Sequence, residues 1–281
     1  NYIGFLQMKK RIGVDIQLIP NDHFGQVDVS KLANMITDKV KLIANTHVPT
    51  YGGLVNPAEA SGKIAKDHDV WSLLDACQSA GQMPLNVNEL NCDFLAATSR
   101  KYIRGPRGVG FLYVSSDRLA QIEPMVMDLH AASWKDTDSY QPREDARKFE
   151  NWESNMAGIL GLAKAVDYLS YLGIDRIWGR IQSLADYLRH GLDSIQTVTV
   201  QDLGEIKCGI VSFTADQNAH QLKNKLNAVG CNVSVISPAH TLNDMQNRGL
   251  GFMIRASVHY YNTKEEIDQF IQRLEKVLEN R

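Results

Sequence analysis

The chain has 281 residues, 44% of them hydrophobic and 22% charged, with a formal net charge of −2 and a sequence pI near 6.5. That length buries a sizeable core and accommodates two domains, while so balanced a charge gives nucleic acid and acidic membranes no electrostatic hold. No apolar run approaches the ~20 residues that span a bilayer, and no signal-peptide pattern opens the chain, so a cytoplasmic protein without membrane or nucleic-acid partners is expected.

Residues 1–11 read as a helix, and 14–19 (V-D-I-Q-L-I) as an alternating strand before a turn through Pro20 and Gly25. Asp28 is placed to cap a helix over 29–36. A second apolar strand, 41–48, runs into the loop P-T-Y-G-G, and Asn56-Pro57 marks a helix start, because proline there forfeits no hydrogen bond. A strand from Trp71 ends in Asp75. A turn with Gln78 and Gly81, a short helix and another strand follow, then Lys101 in a Gly/Pro-rich loop, and a strand over 108–114 closes the unit. Strand, helix and strand at these spacings are the signature of a mostly parallel α/β sheet. The carboxyl-end loops of such sheets carry ligand-contacting groups, so Asp75 and Lys101 are expected at one sheet edge.

Residues 116–122 read as a short helix, and 131–150 as a polar, irregular loop longer than a connection needs, either merely solvated or subunit-contacting. Helical apolar spacing over 157–172 stops at Gly173, and 175–195 forms a second long helix. These bridge to a smaller α+β domain with strands at 198–202, 209–214, 232–236 and 252–260 and a helix at 218–229. Thr263 with Glu266 forms a capping box for a terminal helix. The expected division is 1–160 and 161–281.

An acid and an amine at one edge have a chemical logic. A carboxylate about 4 Å from a protonated pyridine nitrogen gains roughly 4 kcal/mol at an effective dielectric near 20, and a lysine can capture an aldehyde cofactor covalently. Taken alone, Asp75 and Lys101 suit a strand-end acid and a solvated loop lysine better. The whole string changes that balance. D-A-C-Q-S-A-G, then C-D-F, then T-S-R-K-Y-I-R-G-P-R-G-V-G-F-L-Y resembles the cofactor segment of the class V aminotransferase superfamily, in the branch of cysteine desulfurases, selenocysteine lyases and isopenicillin N epimerase. The likeness runs from Asn1 to the C-terminus and fades between Met125 and Gln141.

The resemblance implies an α/β fold, that of the fold-type I transferases dependent on pyridoxal 5'-phosphate (PLP): a large domain with a mostly parallel sheet plus a smaller C-terminal α+β domain. It also implies a homodimer acting on an amino acid. Lys101 matches the family's Schiff-base lysine, Asp75 the partner of the ring nitrogen, and Gln78 the residue bonded to the ring hydroxyl. Thr98 and Arg100 stand where the family has a Ser and a His on the phosphate; Thr keeps the hydroxyl, and Arg supplies a permanently charged fork. Arg255, in M-I-R-A-S-V-H-Y-Y-N-T, matches the arginine that binds the substrate α-carboxylate, its alternative being a strand-end salt bridge. Thr50 replaces the family asparagine at the substrate, and Glu153, with Ser154 beside it, falls where a neighbouring subunit's hydroxyl usually meets the phosphate. Arg104 and Arg107 read as surface charges.

The family's desulfurases carry a nucleophilic cysteine on the loop before that arginine, but residues 234–245 contain none. Cys231 lies too early, and all four cysteines, Cys77, Cys92, Cys208 and Cys231, read as small buried residues. A persulfide mechanism is therefore disfavoured. Lyase chemistry on C–S or C–Se bonds ranks first, epimerisation or transamination second, with His240 either an acid/base or a solvated loop residue. Family members carry roughly a hundred further residues before the point matching Asn1, including a Gly-rich phosphate turn and a ring-stacking aromatic or His. A fragment is therefore expected, and the reading from another class is an inactive remnant or dimerisation module.

Overall fold

The computed structural model describes residues 1–279. Helix α1 (Tyr2–Ile12) ends where Gly13 turns left-handed, at φ 74°, a conformation that costs glycine nothing. At the start of α2 (Val29–Met35) the Asp28 carboxylate accepts from the N–H groups of Ser30 and Lys31, the cap its position predicts. Strand β1 (Leu42–Thr46), helix α3 (Ala58–Asp67), strand β2 (Trp71–Asp75), the single turn α4 (Val87–Leu90) and strand β3 (Phe94–Thr98) then build a parallel β1-β2-β3 sheet. Strand β4 (Gly110–Val114) joins β3 antiparallel. The register sets Thr46 against Asp75 and Asp75 against Ala96. The loops after β1, β2 and β3 therefore leave the sheet at one edge.

After α5 (Ser116–Leu119), strands β5 (Ala132–Asp136) and β6 (Ser139–Pro142) form a hairpin. Helices α6 (Met156–Leu172) and α7 (Ile174–Asp193) lead to a second sheet of β7 (Val198–Val200), β8 (Ile210–Ala215), β9 (Ser234–Ile236) and β10 (Met253–Ser257). Its order is β7-β8-β10-β9, antiparallel throughout. Helices α8 (Ala219–Ala228), α9 (Leu242–Asn247) and α10 (Lys264–Glu279) complete the described chain. The capping box is present: Thr263 N–H donates to Glu266 Oε2 at 2.9 Å and Glu266 N–H to Thr263 Oγ1 at 3.2 Å.

Helix α7 joins the two cores because its apolar residues recur every three or four positions. Ile177 and Ile181 pack with Leu74, Leu95 and Tyr102 of the first sheet and its loop. Leu184, Leu188 and Leu192, further along the same face, pack with Phe213, Leu222 and Leu274 of the second. Each such buried side chain contributes about 1.5–3 kcal/mol, so one amphipathic helix ties the two layers together. No single helix among the described residues is long and apolar enough to cross a membrane.

The strand expected over 252–260 ends at Ser257, and two further sequence expectations differ from the structure. Residues 14–19 form no strand: the alternation is there, but no neighbouring backbone pairs with it, and only Ile19 docks, on the cluster of Leu32, Ile43, Ala65 and Val70. Residues 131–150 are a hairpin and a short 3-10 turn rather than an irregular loop. Asp136 builds the hairpin turn by accepting from Asp138 N–H and Ser139 Oγ, and with both faces largely exposed no apolar alternation announces the strands.

Candidate active site

Where the two sheets meet, a cavity of about 410 Å³ is lined by Thr50, Gln78, Arg100, Lys101 and Arg255, together with Tyr102, Ser257, Val258, His259 and Tyr261. Thr50 comes from the loop after β1, Gln78 from that after β2, Arg100 and Lys101 from that after β3, and Arg255 from β10. Gly81 lets two of these loops touch. Its φ is 91°, and a Cβ there would overlap the backbone of Tyr102 and Ile103, so the turn after β2 can carry no side chain against the lysine loop.

Lys101 Nζ has no hydrogen-bond partner among the described residues, and its charge is disfavoured. Burial pulls its pKa below the ordinary lysine value, Arg100 and Arg255 pull the same way, and Asp75 and Cys77 only partly offset them. A larger share of neutral, nucleophilic amine follows. Asp75, at the end of β2, accepts from Cys77 N–H at 2.9 Å on Oδ1 and from Asn1 Nδ2 at 2.6 Å on Oδ2. Burial pushes its carboxyl up, but these hydrogen bonds and the Lys101 charge outweigh that and hold it below the usual range. Asp75 is thus a fixed anion electrostatically coupled to the amine, although it does not itself line the cavity.

Thr98 ends β3 outside the cavity lining, its Oγ1 buried near the Cys77 thiol, and the Ser99 hydroxyl is buried beyond it, while Arg100 is exposed at the cavity. Gln78 donates from Nε2 to Thr50 Oγ1 at 3.3 Å. Its carbonyl accepts from Gln82 Nε2 at 2.5 Å, and Gln82 Oε1 accepts from Gly209 N–H at 3.2 Å, so a fully buried glutamine bolts the Gln78 turn to the second sheet. Arg255 donates from Nε to Ser257 Oγ at 2.9 Å and makes no ion pair among the described residues. The strand-end salt bridge is therefore absent, and the two terminal nitrogens of its fork are free to receive a carboxylate.

Glu153 and Ser154 are exposed on the loop before α6 and do not line the cavity. Arg104 is no simple surface charge: Nη1 donates to Tyr260 Oη at 2.7 Å, and the guanidinium lies 5.0 Å from the Tyr261 ring centre. His240 ends a 3-10 turn, Pro238–His240, with Nδ1 2.9 Å from Tyr51 Oη. Cys92, Cys208 and Cys231 are buried, burial pushing the first two thiols up to about 11. Cys77 is half-buried, its thiol also raised, by burial and by Asp75. No group of three or more His, Cys, Asp or Glu among the described residues could hold a metal ion.

Sequence reasoning missed Ser257, His259 and Tyr261. For Ser257 the signal was its alternation with Arg255 along β10, since every second residue of a strand points the same way; His259 and Tyr261 lie beyond the strand's end, where no periodicity marks them. Tyr102 and Gln82 left no such signal, because their partners lie far away in the chain.

The family model for class-V aminotransferases matches residues 1–270. A probable cysteine desulfurase of Methanothermobacter thermautotrophicus is 30% identical over 99% of this chain and 70% of its own length, and one of Halalkalibacterium halodurans is 31% identical over 99% and 68%. Among solved structures, the apo cysteine desulfurase of Thermococcus onnurineus superposes with a TM-score of 0.92 at 29% identity, over 99% of this chain and 70% of that one. The cystine C–S lyase C-DES, in complex with its product cysteine persulfide, matches with a TM-score of 0.83 at 26% identity over 97% and 71%. An amine electrostatically coupled to a fixed carboxylate, on the loops of a mostly parallel sheet that this family model covers almost throughout, has one reading: the chain belongs to the class-V aminotransferases and is a PLP-dependent enzyme.

Proposed function

We propose that the cavity holds PLP and an amino acid, and that the reaction is cleavage of a C–S or C–Se bond without a persulfide on the protein. The residues present fit the cofactor: the cavity is of the size that takes a small ligand, and it joins the Lys101 amine to two permanent cations, Arg100 and Arg255, a donor set suited to an aldehyde, a phosphate and a carboxylate. Bound PLP supplies an aldehyde for an amine and an electron sink for charge developing at a substrate α-carbon. Lys101 holds the cofactor and afterwards moves protons at Nζ, Asp75 keeps a ring nitrogen protonated, and Thr98 and Arg100 take the phosphate. Gln78 and Thr50 face ring and substrate oxygens, and Arg255 clamps the substrate carboxylate.

The observation that carries this reading is a Lys101 amine without a partner in the same cavity as an Arg255 fork without an acid. The thiol-free chemistry is supported by the stretch between β9 and α9, which has His240 and no cysteine, and by four thiols that are buried or poorly ionised. A homodimer and a division into a cofactor-binding part, 1–160, and a smaller part, 161–281, belong to the same reading. Exposed Leu160 and Tyr171 on α6 and Met125 and Val126 before β5 support a partner surface.

Incubation with PLP should give a visible lysine-dependent absorption band that is absent in Lys101→Ala. An equally strong band in the variant refutes the role of Lys101, and no band in either protein favours the inactive remnant. Amino acids are then screened for release of sulfide or selenide, release of keto acid, or loss of optical activity. Sulfide release with no persulfide on any of the four cysteines is expected. A persulfide that forms during turnover refutes the thiol-free mechanism, and keto acid or racemisation alone moves the assignment to transaminase or epimerase.

A further inference from the structure

Beyond Arg255 the chain wraps an imidazole in aromatic rings. His259 is 8% exposed, its ring 5.1 Å from that of Tyr102 at 25° and 4.5 Å from that of Tyr261 at 14°. Its Nδ1 accepts the Tyr260 backbone N–H at 3.0 Å, so the neutral ring carries its proton on Nε2. Nε2 makes no hydrogen bond among the described residues, though the Tyr102 backbone lies near enough to favour its protonation. Burial first, then the Arg104 charge, holds the ring neutral, with a pKa pushed down to about 4.

What this ring touches is the loop that carries the amine. Tyr102 follows Lys101 directly and donates from Oη to Val258 O at 3.3 Å. Arg104 closes the far side through Tyr260 and Tyr261. The Lys101 loop is thus pinned to the segment just beyond Arg255 by contacts that converge on one imidazole. Arg104 is the charge that acts on the ring, and Lys101 and Arg255 line the same cavity, so a positive side chain at this place would be repelled. A flat, neutral ring with one acceptor is what the place demands.

We propose that His259 is a positioning residue that sets the distance between Lys101 and Arg255 by wedging the Tyr102 loop against the end of β10. This rests on the site reading above for what it does to function, but not for its structural effect. His259→Phe keeps the stacked ring and loses the Nδ1 acceptor, whereas His259→Ala loses both. In the chain without PLP, backbone amides of residues 100–105 should exchange hydrogen for deuterium faster in both variants, and faster in Ala than in Phe. Unchanged exchange in both overturns the proposal whether or not Lys101 carries PLP.

With PLP bound, the pH midpoint of the lysine-dependent band should move upward, because a looser loop would expose the Lys101 nitrogen to less burial and less of the Arg255 charge, the influences that also lower its free amine. KM for the amino acid should rise about tenfold, with a smaller change in kcat, since misplacing two groups mainly spoils their joint grip. A midpoint and a KM both unchanged in the two variants overturn the proposal as well. If His259→Ala fails to fold by circular dichroism, the Phe variant, close in size and shape, decides. Failure of the site reading is seen separately, as a band that survives Lys101→Ala.

Discussion

Replacing Arg255 tests the carboxylate clamp most directly. Its Nε is occupied by Ser257 at 2.9 Å, so Arg255→Ala removes the two terminal nitrogens that the proposed site gives to a substrate carboxylate. Hydrogen bonds to charged groups contribute about 1.5–3 kcal/mol each, and the half-exposed position argues for the lower end. Two bonds then sum to about 3 kcal/mol, a loss on the order of a hundredfold in affinity. Arg255→Lys keeps the charge without the fork and should lose about tenfold. Both values come from steady-state kinetics on whichever amino acid turns over, with the loss in KM rather than kcat because the contact exists before and during reaction. Arg255→Ala also takes away one of the cations that depress Lys101, so the rise of activity with pH should move to higher pH. A KM for Arg255→Ala within about threefold of the unsubstituted enzyme is too small for even one such bond and refutes the assignment.

Arg189 is paired at 2.9 Å with Asp202, whose side chain is wholly buried, and also donates to the carbonyls of Cys208 at 2.7 Å and Ile210 at 3.1 Å. Arg189→Met strands that acid and both carbonyls and should cost about 3 kcal/mol or more in urea unfolding; a loss typical of a surface pair, under about 1 kcal/mol, refutes the bracing role. Gly81→Ala places a Cβ in the backbone of Tyr102 and Ile103 at a φ of 91° and should cost about 2 kcal/mol or more and weaken PLP binding, read from the lysine-dependent band. His47 is 5% exposed, and burial lowers its pKa from 6.5 to about 4. The folded ring binds its proton less tightly than the unfolded one, so stability is complete above 6.5 and falls as pH drops toward 4, by up to about 1.4 kcal/mol per pH unit. Urea midpoints across that window should show a shallower slope for His47→Gln, and identical slopes refute the linkage.

Much of this protein is legible one segment at a time. The Asp28 cap and the Thr263–Glu266 box each depend on residues within a turn of one another, and each is found where the residues place it; the long helix expected over 175–195 is present as α7, though which two cores its face joins was not legible. The loops after β1, β2 and β3 share an edge because parallel strands leave them no other place. The candidate cofactor residues were named by the resemblance of one loop string to a family, since Asp75 and Lys101 alone say little.

The rest belongs to contacts between distant segments. Residues 14–19 alternate as a strand should but lack a neighbour, whereas 132–142 hide a hairpin in polar sequence. Gln82 reaches Gly209, Tyr102 reaches Val258, and Arg255 faces Lys101 across the meeting of two sheets. Sequence by itself determined which chemical groups this chain carries and which short elements hold them. Only the tertiary structure decided which groups meet, because a hydrogen bond or an ion pair is a relation between two places, and local pattern describes one place at a time.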